Sequence, residues 1–299
     1  MVRIGILEMA SADADRLAYW NIFFNQLAKD GFQRDENLYV EYIWADGHRE
    51  RLRLGAEKFV STGYDLIVTA GTPAASAAIA ATITIPIVMA TGVSLGTQLS
   101  DESKPAQTNI TGISDLPAGI SEHRLILLRD IVKPGRGLAI LADRANPSSP
   151  LAVAETTAAA RKLGVSVSDY WLPTPDDMDS VLAEMSRDQI GGFVVSPGAM
   201  FFAKRGELAR LSLQNDLATV SVRREYAEAG CTIAYGAPLR VNYSEAAKLA
   251  AKILAGQKPS ELPIVEPTEF EFLINDTTVD RLGVTIPAHM AREAEHVTL

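Results

Sequence analysis

Asp65-Leu66-Ile67-Val68-Thr69-Ala70-Gly71-Thr72-Pro73-Ala74-Ala75 decides the fold. Its first half is a short apolar run without polar alternation, the mark of a strand buried on both faces. Its second half starts a helix. Gly71 permits the turn, Thr72 offers a hydroxyl at the cap, and Pro73 fills a first-turn position that needs no N–H. The helix is expected over residues 73–81 and a second apolar strand over 85–89. Buried strand, helix and buried strand in succession make a parallel sheet with helices on both faces.

The rhythm extends in both directions. Toward the N-terminus, strands are predicted over 2–7 and 38–44 and helices over 13–29 and 48–61. The first helix carries Leu17, Trp20, Phe24 and Leu27 at spacings of three and four, and Gly31 follows where a left-handed cap falls. Toward the C-terminus a polar, irregular stretch, 92–108, interrupts the pattern. A second cycle begins after Asn109-Ile110-Thr111-Gly112-Ile113. It has helices over 119–132, 149–163, 176–186, 200–214 and 243–254, and strands over 137–141, 165–171, 190–195, 218–222, 231–235 and 269–274. Two cycles with a break near 114–119 predict an α/β protein of two doubly wound parallel-sheet lobes, in keeping with 299 residues. The proline-punctuated segment from Lys258-Pro259 to Glu266-Pro267 has the composition of a chain crossing between bodies.

Composition removes several function classes. Hydrophobic residues at 47% and charged residues at 22% exclude a disordered, collagenous or coiled-coil chain. A net charge of −9 with no basic stripe gives no means of neutralising a phosphate backbone, so no nucleic-acid partner is expected. The single cysteine, Cys231, rules out an internal disulfide, a cysteine-based zinc cluster and two-thiol racemase chemistry. No Gly-x-Gly-x-x-Gly follows the first strand and no phosphate-binding Gly-x-x-x-x-Gly-Lys loop occurs, and no Gly-x-Ser-x-Gly elbow of an α/β-hydrolase is expected. The four histidines lack metal-ligand spacing, and Asp176, Asp177 and Asp179 complement a helix dipole. No cofactor, metal or catalytic residue is expected.

Ligands of open parallel sheets bind beyond the carboxyl ends of the strands, where helix N-termini present N–H groups. That rule selects Met9 and Ser11 after the first strand, Gly71, Thr72 and Pro73 after the third, and Thr91 after the fourth. In the second cycle it selects Asn146 and Pro147, then Ser196, Pro197 and Met200. Arg224 and Glu225 follow strand 218–222, and Arg224 is placed either to clamp a carboxylate or to form an inter-lobe ion pair. Trp20 and Tyr235, with Tyr19, Phe201 and Phe202, are candidate walls for an apolar ligand part; a place in the core is the alternative for each. Gly71-Thr72-Pro73-Ala74 is either a neutral cradle for a carboxylate or a well-capped helix. On the cradle reading, Thr72→Val weakens binding and leaves the unliganded stability little changed.

These residues also carry a family pattern. The opening strand Arg3-Ile4-Gly5-Ile6-Leu7, the 65–75 stretch, Asn109-Ile110-Thr111-Gly112 and Ala145-Asn146-Pro147 all belong to it. So do Arg224-Glu225-Tyr226, Ala234-Tyr235-Gly236, Pro267-Thr268-Glu269-Phe270-Glu271-Phe272 and Leu282-Gly283-Val284-Thr285-Ile286-Pro287. From end to end the chain resembles ABC-transporter substrate-binding proteins of the tryptophan or aromatic-amino-acid-binding type, with the type I periplasmic-binding-protein fold. The resemblance implies a monomeric receptor that closes two lobes over a small solute, an aromatic or branched amino acid first, and delivers it to a membrane permease. It implies three crossovers, with residues 1–115 and 238–268 in one lobe and 118–236 and 270–299 in the other. It also implies a periplasmic or extracytoplasmic location. The opening residues run straight into a strand without a basic segment, apolar segment and cleavage site in series, so by themselves they fit either a cytoplasmic protein or a mature form whose leader was removed, and the resemblance implies the second.

Two departures bear on the ligand. Glu8 stands in a turn where small residues are common, and Ala229-Gly230-Cys231 replaces the usual glycine pair. Two other classes remain open. A ligand-sensing domain of a signalling or regulatory system would need a helix-turn-helix or further chain. An enzyme on the same scaffold would need a nucleophile–base pair or a metal cluster.

Overall fold

The computed structural model describes residues 1–93 and 109–299. From residue 94 on, the irregular stretch expected over 92–108 lies outside the described residues. The chain forms two compact units, Met1–Asp115 with Leu239–Pro267, and Leu116–Pro238 with Thr268–Leu299. The first opens with β1 (Val2–Glu8), α1 (Ala14–Lys29), β2 (Leu38–Trp44), α2 (Arg49–Ser61), β3 (Leu66–Ala70), α3 (Thr72–Ala81), β4 (Ile87–Thr91) and β5 (Ile110–Gly112). The second contains α4 (Ile120–Ile131), β6 (Gly137–Asp143), α5 (Ser149–Leu163), β7 (Val167–Leu172), α6 (Met178–Arg187), β8 (Ile190–Val195), α7 (Ala199–Ala203), α8 (Arg205–Gln214), β9 (Ala218–Ser221), α9 (Arg224–Glu228) and β10 (Ile233–Gly236). Then α10 (Leu239–Leu254) belongs to the first unit, and β11 (Glu271–Asn275), α11 (Asp276–Leu282), α12 (Ala288–Glu293) and β12 (Glu295–Val297) to the second.

The first unit is a parallel sheet ordered β2-β1-β3-β4-β5. Every residue of β3 and β4 is buried, as strands covered on both faces require. Leu7, Leu52, Phe59, Ile67, Ala74 and Ile87 form one core cluster. Phe59 is fully buried there, which contributes about 1.5–3 kcal/mol, and truncation to alanine would cost about 3–5 kcal/mol. On α1 the Asp13 side chain caps the helix by accepting the Arg16 N–H at 2.7 Å. The apolar stripe of α1 packs against α10, bringing Tyr19 and Trp20 onto Tyr243.

The second unit has a seven-stranded sheet ordered β12-β11-β10-β9-β8-β6-β7. Here β11 runs antiparallel to β10, which departs from the all-parallel lobes expected from sequence. The physical reason is connectivity. Between β10 and β11 the chain passes through the first unit, so no βαβ crossover ties the two strands to a common direction. The expected helix over 200–214 is also interrupted. The Arg205 guanidinium donates to the Phe202 carbonyl at 3.0 Å, and Lys204 takes φ −99°, ψ 15° between α7 and α8. A side-chain donor inserted into the ladder ends α7 after one turn.

Candidate ligand-binding turns

In the first unit the carboxyl ends of three strands are level. Glu8 pairs with Ala70, and Ala70 with Thr91, so the turns Met9–Ser11, Gly71–Pro73 and Thr91–Val93 share one edge of the sheet. Gly71 leaves β3 with φ +88°, a conformation that a side chain would strain. Its N–H donates to both the Thr91 carbonyl, at 3.0 Å, and the Thr91 hydroxyl, at 3.1 Å. Thr72 does not cap the helix, contrary to expectation: it is the first helical residue, and Gly71 is the cap. Its buried hydroxyl instead accepts the Val93 N–H at 3.0 Å. The Ala74 and Ala75 amides both donate to the Gly71 carbonyl. The cradle is therefore narrower than a free helix N-terminus, and the Thr72 hydroxyl, already an acceptor, still has a proton to donate.

Beneath this edge lies a polar group that sequence reading left out of the site. Glu8 is almost fully buried; its Oε1 accepts the Ala10 N–H at 3.2 Å, and its Oε2 has no hydrogen-bond partner among the described residues. Burial pushes the Glu8 carboxyl up from its ordinary range, while the Arg16 charge and the Ala10 N–H pull it back. Burial opposes the Arg16 charge too, but Glu8 and Tyr243 outweigh it and hold the guanidinium protonated. The legible signal was an acidic residue ending an apolar strand, with an arginine in the first turn of the next helix. Trp20 itself is no wall for a solute. It has no exposed surface and packs edge-on against Phe23, Tyr42 and Tyr243, as its place on the apolar stripe of α1 dictates. Met9 is half-buried and Ser11 exposed.

In the second unit, Asn146 joins two candidate turns. Its Nδ2 donates to the Pro197 carbonyl at 2.8 Å, and its Oδ1 accepts from the Ser148 N–H and hydroxyl. This brings Asn146 and Pro147, after β6, beside Ser196 and Pro197, after β8. The hydroxyls of Ser149 and Ser196 are buried here without hydrogen-bond partners among the described residues. Met200 is half-buried at the start of α7, whereas Phe201 and Phe202 are core.

Two candidates are engaged otherwise than expected. The Arg224 guanidinium is occupied by three carboxylates, Glu228 at 3.0 Å, Glu271 at 3.1 Å and Glu295 at 3.0 Å, all in the second unit. With α9, β11 and β12 to join, it is an internal tie, and the neighbouring Glu225 is half-buried on α9. The Tyr235 ring lies between His123, at 4.1 Å, and Phe270, at 5.6 Å, with Phe272 at its edge. Both faces being covered, it offers no stacking surface. Gly236 follows because a Cβ there would lie 1.9 Å from the Val222 carbonyl oxygen. Burial lowers the His123 pKa, and it pushes the Cys231 thiol up to about 12, a packed and unreactive group.

Among the described residues no group of three or more His, Cys, Asp or Glu side chains could hold a metal ion. The expectation that the chain lacks a Gly-x-Ser-x-Gly nucleophile elbow is wrong at the level of sequence, since Gly92-Val93-Ser94-Leu95-Gly96 spells the pattern; Ser94 lies outside the described residues.

Comparison with known proteins places the chain in a family. The chain is 22% identical over 265 residues, 88% of its length and 75% of the relative's, to a tyrosine-binding protein of Clostridioides difficile strain R20291. A solved ABC domain in complex with L-Trp from Streptococcus pneumonia matches with a TM-score of 0.88 at 20% identity, covering 100% of this chain and 99% of that one. A conserved domain protein from Vibrio cholerae O1 biovar eltor matches with a TM-score of 0.88 at 21% identity over the same shares. Both share the type I periplasmic-binding-protein fold with this chain. A family model described as ABC transporter substrate binding protein matches residues 3–298, and the chain belongs to that family of binding proteins, which are not enzymes.

Proposed function

We propose that the chain is the solute receptor of an ABC importer and that its ligand is an aromatic amino acid, or failing that a branched one. The observation that carries this reading is the level edge of polar turns at the carboxyl ends of β1, β3 and β4, with a Thr72 hydroxyl whose proton is not used in its bond to the Val93 N–H. A donor to a carboxylate in a dry setting is worth about 1.5–3 kcal/mol, enough to orient a small solute. The relatives support the ligand class, one being a tyrosine-binding protein and one carrying L-Trp. A solute that touches the turns of both units only when they close would shift the population toward closure, with no covalent step. The receptor would act outside the cytoplasm as a monomer and hand its cargo to the permease. No helix among the described residues is long and apolar enough to cross a membrane.

A thermal-shift panel of the standard amino acids and small aromatic carboxylates tests the proposal. At 100 times its dissociation constant a ligand adds about 2.7 kcal/mol, a rise of about 5–10 °C for a chain of this size. L-Trp, L-Tyr or L-Phe should give the largest rise. A shift confined to solutes that are not amino acids would overturn the ligand class.

A further inference from the structure

The chain leaves the first unit after Asp115, returns at Leu239 and leaves again after Pro267. The residues beside these three passages are bonded to one another within the first unit. Asp115 accepts from Asn242 Nδ2 through Oδ1, at 3.0 Å, and from the Gly92 N–H through Oδ2, also at 3.0 Å. Its own N–H donates to the Gly92 carbonyl at 2.6 Å. Next to it, the Ser114 N–H donates to the Val265 carbonyl, the Val265 N–H to the Gly112 carbonyl, and the Thr111 hydroxyl to the Pro263 carbonyl. Asn242 is buried at the start of α10, and its Oδ1 has no hydrogen-bond partner among the described residues, so the carboxylate of Asp115 sets the orientation of the amide.

The grip on Gly92 reaches the candidate turns. The next residue, Val93, donates to the Thr72 hydroxyl, and the preceding one, Thr91, receives the Gly71 N–H twice. A continuous run of hydrogen bonds and one peptide link thus joins Asn242, Asp115, the Thr91–Val93 turn and Thr72. A carboxylate is suited to its centre because it accepts two donors with both oxygens, and charge-assisted bonds of this kind are shorter and stronger than neutral ones.

We propose that Asp115 is a positioning residue for solute binding: from the point where the chain first crosses out of the unit, it fixes the Thr91–Val93 turn and, through that turn, the Thr72 hydroxyl. The inference rests on the reading of Thr72 as a ligand donor, and it is tested by two measurements that fail separately.

The first is amide hydrogen exchange of the ligand-free protein, followed by NMR. Asp115→Asn retains one acceptor oxygen but turns an N–H group toward Gly92 or Asn242. It should speed exchange at Gly92, and also at Val93, which Asp115 does not touch, at least fivefold relative to Ile67 in β3. Asn242→Ala leaves the carboxylate on Gly92 and should keep Val93 within twofold of the parent. Unchanged Val93 exchange in Asp115→Asn, or equal acceleration by both variants, overturns the proposal. The second measurement is calorimetric titration with L-tryptophan and L-tyrosine. Asp115→Asn should weaken binding about tenfold, and combining it with Thr72→Val should cost less than the product of the single effects. A full product overturns the claim that Asp115 acts through Thr72. If the parent binds neither amino acid, the aromatic-ligand reading fails while the exchange result still decides the positioning role.

Discussion

Thr72→Val is the sharpest test of how the first unit is built, because the hydroxyl holds the chain together before any solute arrives. Valine matches threonine in shape, so the substitution opens no cavity. What it removes is the acceptor of the Val93 N–H, a 3.0 Å bond between two residues that are 4% and 3% exposed. A buried donor left without a partner costs about 1–3 kcal/mol, and the middle of that range lowers Tm by about 4–8 °C. Thr72→Ser keeps the acceptor and gives up one methyl group, about 0.8 kcal/mol. The expected order of stability in urea unfolding of the unliganded protein is therefore parent, serine, valine. A valine variant as stable as the parent, or more stable than the serine variant, would refute this reasoning. That outcome is what the sequence alone led one to expect, since a hydroxyl reserved for ligand would leave folding untouched.

Glu8→Gln should lower stability, because the buried Arg16 guanidinium loses one of the two carboxylates whose charge favours it, Asp13 remaining; Glu8→Gln with Arg16→Met should cost less than the single change, and urea unfolding of the three variants decides it. His123 and His296 should titrate on opposite sides of the ordinary histidine value in an NMR titration. Burial lowers His123, so its share of stability falls as pH drops below about 6.5, where the unfolded chain takes up a proton more readily. The Ala291 carbonyl and Asp276 raise His296, so its share is complete below about 6.5 and is lost as pH rises through its folded value; Asp276→Asn should remove part of that elevation and leave the part due to the Ala291 carbonyl. Arg224→Met should cost about 1 kcal/mol at low ionic strength, less in 1 M salt, and leave solute affinity unchanged, whereas a large loss of affinity would restore the carboxylate-clamp reading.

The α/β class was legible because β3 and β4 are unbroken apolar runs ended by turn residues, and a strand buried on both faces leaves no other pattern. What escaped was decided by partners far along the chain. The direction of β11 depends on where the polypeptide has been, and no local spacing encodes that. Trp20 and Tyr235 sit beside the turns in sequence, but Tyr243 and Phe270, remote in number, claim their faces. Arg224 looked available until Glu271 and Glu295 arrived from the last thirty residues. Met9, Gly71, Pro73 and Thr91 could be placed from the strand-end rule because turns at the end of a parallel strand are positioned by the strand itself.

The interleaved ancestry of the first unit has a consequence for synthesis. Trp20 finds Tyr243 only after the start of α10 has emerged from the ribosome, and Tyr243 lies 214 residues beyond Lys29, the end of α1. At about 5–20 residues per second, the aromatic side of α1 stays uncovered for roughly 11–43 s of translation. The N-terminal half is thus born sticky and unfinished, and a holding chaperone has its longest opportunity there.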